Sequence, residues 1–242
     1  MPLIKKFLIV FSTVSLVFGS INAQNEIIPL SASQLKGRTE KLLGMDDLLV
    51  NGKRYLPEHT KVVGSPEFEF QDAGNSAVYI KGQRFDNILL AYDIVSDLLI
   101  LVQTLGNGLE NRIQLHPVMI DSFRLGNHLF INPSNFLTGF VPSGFYEKIS
   151  DGKVLYLKKH SKHYLQIYDA SNRGKYSSRI TNNYLLDRNG TLIPVNNRQS
   201  FLKYFAPYKK AIKSYLHDEG ISFKKAGNPE IIRLMSFCNA LT

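Results

Sequence analysis

Cysteine is almost absent, since Cys238 is the only one in 242 residues. An internal disulfide is thereby excluded, and packing alone must hold the fold. Tryptophan is missing altogether beside 15 Phe and 12 Tyr, which counts against an indole-walled pocket for sugars or cations. Gly-x-Ser-x-Gly, His-Glu-x-x-His, a phosphate-binding glycine loop and a dinucleotide fingerprint are also missing. Their absence lowers the expectation of an enzyme without removing it, because catalytic groups can converge from distant positions. There is no fixed-period repeat and no low-complexity segment. The main long apolar run, residues 7–18, is too short to cross a bilayer as a helix.

What is present begins with that run. Lys5 and Lys6 precede it, and Ile21-Asn22-Ala23 offers a small-residue cleavage site before Gln24, the layout of an export signal over residues 1–23. No cysteine follows closely to carry a lipid, so the expectation is a soluble protein of the periplasm or the exterior. Charge is unevenly placed in the remainder. Residues 24–146 carry 10 Lys and Arg against 13 Asp and Glu, a net of −3, whereas residues 147–242 carry 17 against 7, a net of +10. A basic half suits nucleic acid, an anionic surface or an acidic protein. Export disfavours nucleic acid and leaves an acidic envelope protein or an anionic envelope surface as the expected partner; a solvated basic face that keeps the chain soluble is the simpler alternative.

From residue 55 the pattern is that of strands. Glu67-Phe68-Glu69-Phe70 alternates, residues 77–80 are β-prone, and the apolar runs 85–94 and 98–104 flank Val95-Ser96-Asp97 as a hairpin. Runs 112–120 and 123–131 follow, parted by Asp121-Ser122. Residues 144–149 and 153–159 flank Ser150-Asp151-Gly152, and residues 183–186 and 191–195 flank Asp187-Arg188-Asn189-Gly190. Asp-Gly and Asn-Gly supply the positive φ of tight turns, so both read as hairpins. Residues 171–178 read as a polar loop. The period then changes. Phe201, Phe205, Tyr208, Ile212, Tyr215 and Leu216 recur at helical spacing, Pro207 suits the start of a second helix, and Gly220 suits its end. Asn228-Pro229-Glu230 reads as the capped start of a last helix whose apolar stripe is Ile231, Leu234, Met235, Cys238 and Leu241.

The expected architecture is therefore α+β. After the signal (1–23) and a lead-in (24–54, with a short helix over 33–43), an antiparallel meander of hairpins (55–195) is followed by C-terminal helices (196–242) packed on the sheet.

Several local patterns occur in order: Asn51-Gly52-Lys53-Arg54-Tyr55-Leu56-Pro57, Gly64-Ser65-Pro66, Ile80-Lys81-Gly82-Gln83-Arg84-Phe85, Leu90-Ala91-Tyr92-Asp93, Gly144-Phe145-Tyr146-Glu147 and Phe237-Cys238-Asn239-Ala240-Leu241. Together they resemble a family of uncharacterised exported bacterial envelope proteins with no assigned activity. The resemblance implies compartment and architecture, and it transfers no site.

Candidate residues fall into three groups. Lys203, Lys209, Lys210 and Lys213 sit on the polar faces of the C-terminal helices and are the expected contacts to an acidic partner, in a non-enzymatic binding module. The alternative is a hydrolase or small-ligand carrier with a site in the concavity of the sheet, for which Tyr92, Asp93, His116 and His128 are the candidate polar groups. No cofactor and no metal is expected. His160 and His163, three apart on a strand among lysines, point to opposite faces and read as a solvated basic strand end that would hold an anion rather than a cation. Glu67 and Glu69 share one face at an acid–base spacing, yet Phe68 and Phe70 turning inward explain them more simply. Asp93 and Asp97 read as turn-capping acids. Cys238 reads as a buried structural thiol, with an intermolecular disulfide as the alternative.

Overall fold

Short apolar or alternating segments recur between turn residues, and such segments bury their apolar faces by pairing side by side. The computed structural model describes residues 49, 52–69, 76–106, 108–135, 143–167 and 173–242, all within the unit Met45–Thr242. The expected signal, the helix expected over 33–43 and Phe70 lie outside the described residues. In chain order the strands are β1 (Lys53–Arg54), β2 (Val62–Val63), β3 (Ser76–Ile80), β4 (Gln83–Asp86), β5 (Leu89–Asp93), β6 (Leu98–Thr104), β7 (Glu110–Gln114), β8 (Ile120–Leu125), β9 (His128–Ile131), β10 (Tyr146–Lys148), β11 (Leu155–Ser161), β12 (Tyr164–Gln166), β13 (Gly174–Tyr176), β14 (Ile180–Leu186) and β15 (Leu192–Pro194). Helices α1 (Arg198–Tyr204), α2 (Lys209–Asp218) and α3 (Asn228–Leu241) close the chain. The fold is α+β, with antiparallel ladders followed by C-terminal helices.

A long sheet has the order β15-β14-β11-β10-β9-β8-β3-β4, and a shorter one the order β1-β7-β6-β5. A small third sheet, β12-β13-β2, contains a parallel pair, β13 with β2. Register decides what the long sheet buries. Val78 is opposite Phe123, Phe123 opposite Phe130, Phe130 opposite Glu147, Glu147 opposite Lys158, and Lys158 opposite Asn183. Directly opposed residues share a face, so all six lie on one side.

That inner face is covered twice. Over β3, β4, β8 and β9 lies the shorter sheet, and Val78, Phe123, Phe130 and Phe145 join Leu90, Tyr92, Leu99 and Leu101 in one apolar cluster. Over β10, β11 and β14 lie the helices, and Ile149, Tyr156 and Leu185 join Phe201, Ile212, Leu234 and Met235 in a second. Along β10 the face runs from Phe145 in the first cluster, through Glu147, to Ile149 in the second. The midline between the two clusters is polar.

Local signals account for the helices. Asn197 caps α1, accepting from the Ser200 amide at 2.8 Å, and Pro207 sits in a 3₁₀ turn, Ala206–Tyr208, that leads into α2. Gly220 takes φ +62° just beyond α2, the conformation that ends a helix at little cost for glycine. The cap of α3 is Gly227 rather than the expected Asn228, with Glu230 accepting from the Gly227 amide at 2.6 Å. This frees the Asn228 side chain for another partner. At the far end, Asn239 accepts from the Val154 amide at 2.8 Å and donates to the Asp151 carbonyl, which fastens α3 to the β10–β11 hairpin. Cys238 is fully buried on its stripe, and burial pushes its thiol up to about 12.

Three local expectations differ from the structure. The turn expected at Asp121-Ser122 lies instead at Gly126-Asn127, where Gly126 has φ +54°; the Asp121 carboxylate accepts from the Gly82 amide of a neighbouring turn. The apolar run 85–94 is broken at Asn87, φ +55°, and its halves enter different sheets. Within the expected loop 171–178, residues Gly174–Tyr176 form β13, because the edge of β2 offers backbone partners.

Candidate anion-binding cleft

The polar midline is built from one carboxylate and the side chains that reach it. Glu147 is almost fully buried, and such a charge must be paired or hydrogen-bonded. Its Oε1 lies 2.6 Å from His128 Nδ1 on β9 and its Oε2 lies 2.7 Å from His160 Nε2 on β11. Burial alone would raise the Glu147 carboxyl. Hydrogen bonds from His160 and His128 outweigh it and hold the group below the usual carboxylate range. With Nε2–H donated to the carboxylate, a neutral His160 presents the Nδ1 lone pair to the Thr181 hydroxyl, 3.0 Å away on β14.

Phe68 sits over this cluster, its ring centroid 5.0 Å from that of His128 and 5.1 Å from that of His160. The Arg179 guanidinium lies 4.6 Å from the Phe68 centroid, a cation–π contact that holds an otherwise exposed cation at the cleft mouth. Among the described residues Arg179 has no hydrogen-bond partner. Lys158 donates to Asn228 Oδ1 at the start of α3. Burial lowers its ammonium pKa, Glu147 pulls it back up, Arg179 pushes it down, and the balance stays below the ordinary lysine value.

These groups line a cleft of about 380 Å³, closed on the far side by the segment holding Phe223, Lys224 and Ala226. Its lining has three basic side chains, Lys158, Arg179 and Lys224, against one carboxylate that two imidazoles already satisfy. Such a site favours a ligand with an anionic group. Two other cavities adjoin it. One of about 370 Å³, past Arg179, includes Lys162, but that ammonium is spent on the carbonyls of Ser65 and Glu67 and on Glu69. Another of about 520 Å³, past Asn183 and Phe223, gathers no buried titratable side chain.

The four residues expected in a concavity do not converge. Tyr92 is fully buried with its hydroxyl 2.5 Å from Asp97. Asp93 accepts from the Val95 and Ser96 amides and the Tyr55 hydroxyl. His116 is exposed beside Pro117, and His128 alone reaches the cleft. Lys203, Lys209, Lys210 and Lys213 are all exposed on α1 and α2.

The solvated basic strand end is corrected. Alternation along β11 turns His160 inward with Lys158, and Lys162 just beyond it is also buried; Glu147 and the carbonyls of Ser65 and Glu67 meet them, whereas His163 is exposed. Asp97 is more than a turn acid, since it joins Tyr92, Lys159 at 2.6 Å and the Phe145 amide. Glu67 and Glu69 serve separate cations, Arg112 and Lys162. Among the described residues no three His, Cys, Asp or Glu side chains are placed to hold a metal ion. Glu147, Lys158, Arg179 and Thr181 are not among the sequence candidates; for Glu147 the signal is an acid where alternation with Phe145 and Ile149 calls for an apolar side chain.

Compared with known proteins, the chain matches no family model, no curated protein and no solved structure.

Proposed function

We propose that this is an exported envelope protein that binds a small ligand through an anionic group, carboxylate or phosphate, in the cleft beside Glu147. The observation that carries the reading is Arg179, held by Phe68 with its N–H groups unused among the described residues, above a half-buried Lys158 whose charge desolvation disfavours. An anion restores the lysine's charge balance and takes two parallel bonds from the guanidinium. The export reading rests on residues 1–23. Calorimetric titration of the full chain with inorganic phosphate, with glucose as the neutral control, tests the cleft. Saturable phosphate binding is expected, weakened about tenfold in Arg179→Ala, by the loss of a charge-assisted hydrogen bond. Equal affinity in both proteins removes the reading.

A second reading, a non-enzymatic interaction module that meets an acidic protein or anionic surface, is favoured by the exposure of all four helix lysines. Changing Lys203, Lys209, Lys210 and Lys213 together to Gln should leave stability within about 0.5 kcal/mol for each exposed site. The same variant should lose salt-sensitive binding to phosphatidylglycerol vesicles in a flotation assay. Undiminished flotation would rule out these lysines as the contact.

A further inference from the structure

Three side chains in the cleft form a connected chain: the exposed Thr181 hydroxyl, the buried His160 imidazole and the Glu147 carboxylate, with contacts of 3.0 Å and 2.7 Å. A hydroxyl bonding an imidazole across two strands is an ordinary way to satisfy a buried histidine. Here, however, the far nitrogen is fixed on a carboxylate that His128 anchors on its other oxygen. The near nitrogen is thus turned toward the hydroxyl, and both lie in a cleft that also holds Lys158 and Arg179. A nucleophile within reach of a base, a base oriented by a third group, and cations nearby for developing negative charge are the elements of acyl transfer.

We propose that the cleft hydrolyses carboxylic esters that carry an anionic group, with Thr181 as nucleophile, His160 as general base and acid, and Glu147 as the residue positioning His160. Thr181 Oγ attacks the ester carbonyl carbon while its proton passes to His160 Nδ1. The tetrahedral oxyanion forms beside Lys158 and Arg179. Its collapse breaks the bond to the alcohol oxygen, and His160 gives the proton to the departing alkoxide, leaving an acyl ester on Thr181. Water then attacks that ester, losing a proton to His160. Collapse releases the carboxylic acid and returns the proton to Thr181 Oγ, so the net change is ester plus water to acid plus alcohol.

This activity rests on the cleft being a ligand site, and the test separates the two. The full chain is incubated with the mono-4-nitrophenyl ester of succinic acid, an activated ester with a free carboxylate. The expected result is 4-nitrophenol release with an acyl adduct mapped to Thr181 by mass spectrometry. Thr181→Ala should lose the adduct while still binding inorganic phosphate, Thr181→Ser should restore it, and His160→Gln should slow release about 100-fold, the scale of losing a general base. No adduct on Thr181 in the unmodified chain, or release in His160→Gln equal to that of the parent, overturns the activity. Phosphate binding retained alongside that failure leaves the binding site standing, and its loss in the parent chain brings down both.

Discussion

Glu147→Ala lowers the stability of the fold by about 3–5 kcal/mol, the cost of removing one partner from a buried ionic hydrogen-bonded set. The larger part arises at His160, only 6% exposed, whose Nε2–H is left without an acceptor. The smaller part arises at His128, 36% exposed, where water can replace the carboxylate. Glu147→Gln keeps the shape but offers one acceptor to two imidazole donors, so it falls between parent and alanine. The effect also has a pH signature. The folded carboxyl holds its proton less tightly than the unfolded one, so its stabilisation is complete above the ordinary glutamate range. It is lost as pH falls through the lower folded value. Urea unfolding of parent and Glu147→Ala from pH 7 down to pH 3 should show the gap narrowing at the acid end. A gap that widens there would mean that Glu147 is not held ionised by its imidazoles.

Gly144→Ala is the second large effect, about 2–4 kcal/mol from positive-φ strain together with a disturbed half-buried ion pair. Gly144 has φ +117°, and a Cβ there would collide with the Asp97 carboxylate and the Lys159 ammonium, which are bonded to each other. Asp97 also receives the Tyr92 hydroxyl from the core, so the clash cannot be relieved by swinging the carboxylate away. Gly82→Ala supplies the comparison, because that site has φ +78° with nothing within 4 Å of a new Cβ. It should cost only the backbone term, about 1 kcal/mol. In a thermal melt the first variant should fall by roughly 5–15 °C and the second by a few degrees. Equal losses would show that the contact at Asp97 carries no weight.

Turn chemistry made much of the fold readable. Ser150-Asp151-Gly152 and Asp187-Arg188-Asn189-Gly190 close hairpins as expected, with Gly152 and Gly190 at positive φ and the Asp187 carboxylate accepting from the Asn189 and Thr191 amides. The helices are legible because their apolar stripes, such as Ile231 to Leu241, are bounded by residues that favour helix ends. Gly126-Asn127 does not stand out in the sequence, since Asp121-Ser122, five residues earlier, carries the same polar signal; only the pairing of β8 with β3 and β9 shows Asp121 inside a strand. The cleft was the least legible part. His128, Glu147, His160 and Thr181 meet through strand registers set by distant pairings. Along β11 cationic side chains face both ways, Lys158 inward and Lys159 outward, so alternation carries no contrast in polarity there. Arg179 acquires its role only from Phe68, which is more than a hundred residues away in sequence.

The polar midline of the long sheet also keeps two apolar clusters apart, which predicts that the helices open from the sheet before the rest unfolds. Phe145 and Ile149, two positions either side of Glu147, belong to separate apolar clusters, and β10 and β11 carry the backbone continuity between them. Lifting the helices from the sheet exposes Tyr156 and Leu185 yet leaves the Phe123–Phe130 stack and the shorter sheet dry. Such a partial opening is expected to cost less than global unfolding, and native-state hydrogen exchange of the helix amides would show it. Lys224 and Asn228 travel with the helices, so the opening takes apart one wall of the cleft, and an anion bridging Arg179 to Lys224 would act as a clasp that ties the helices to the sheet.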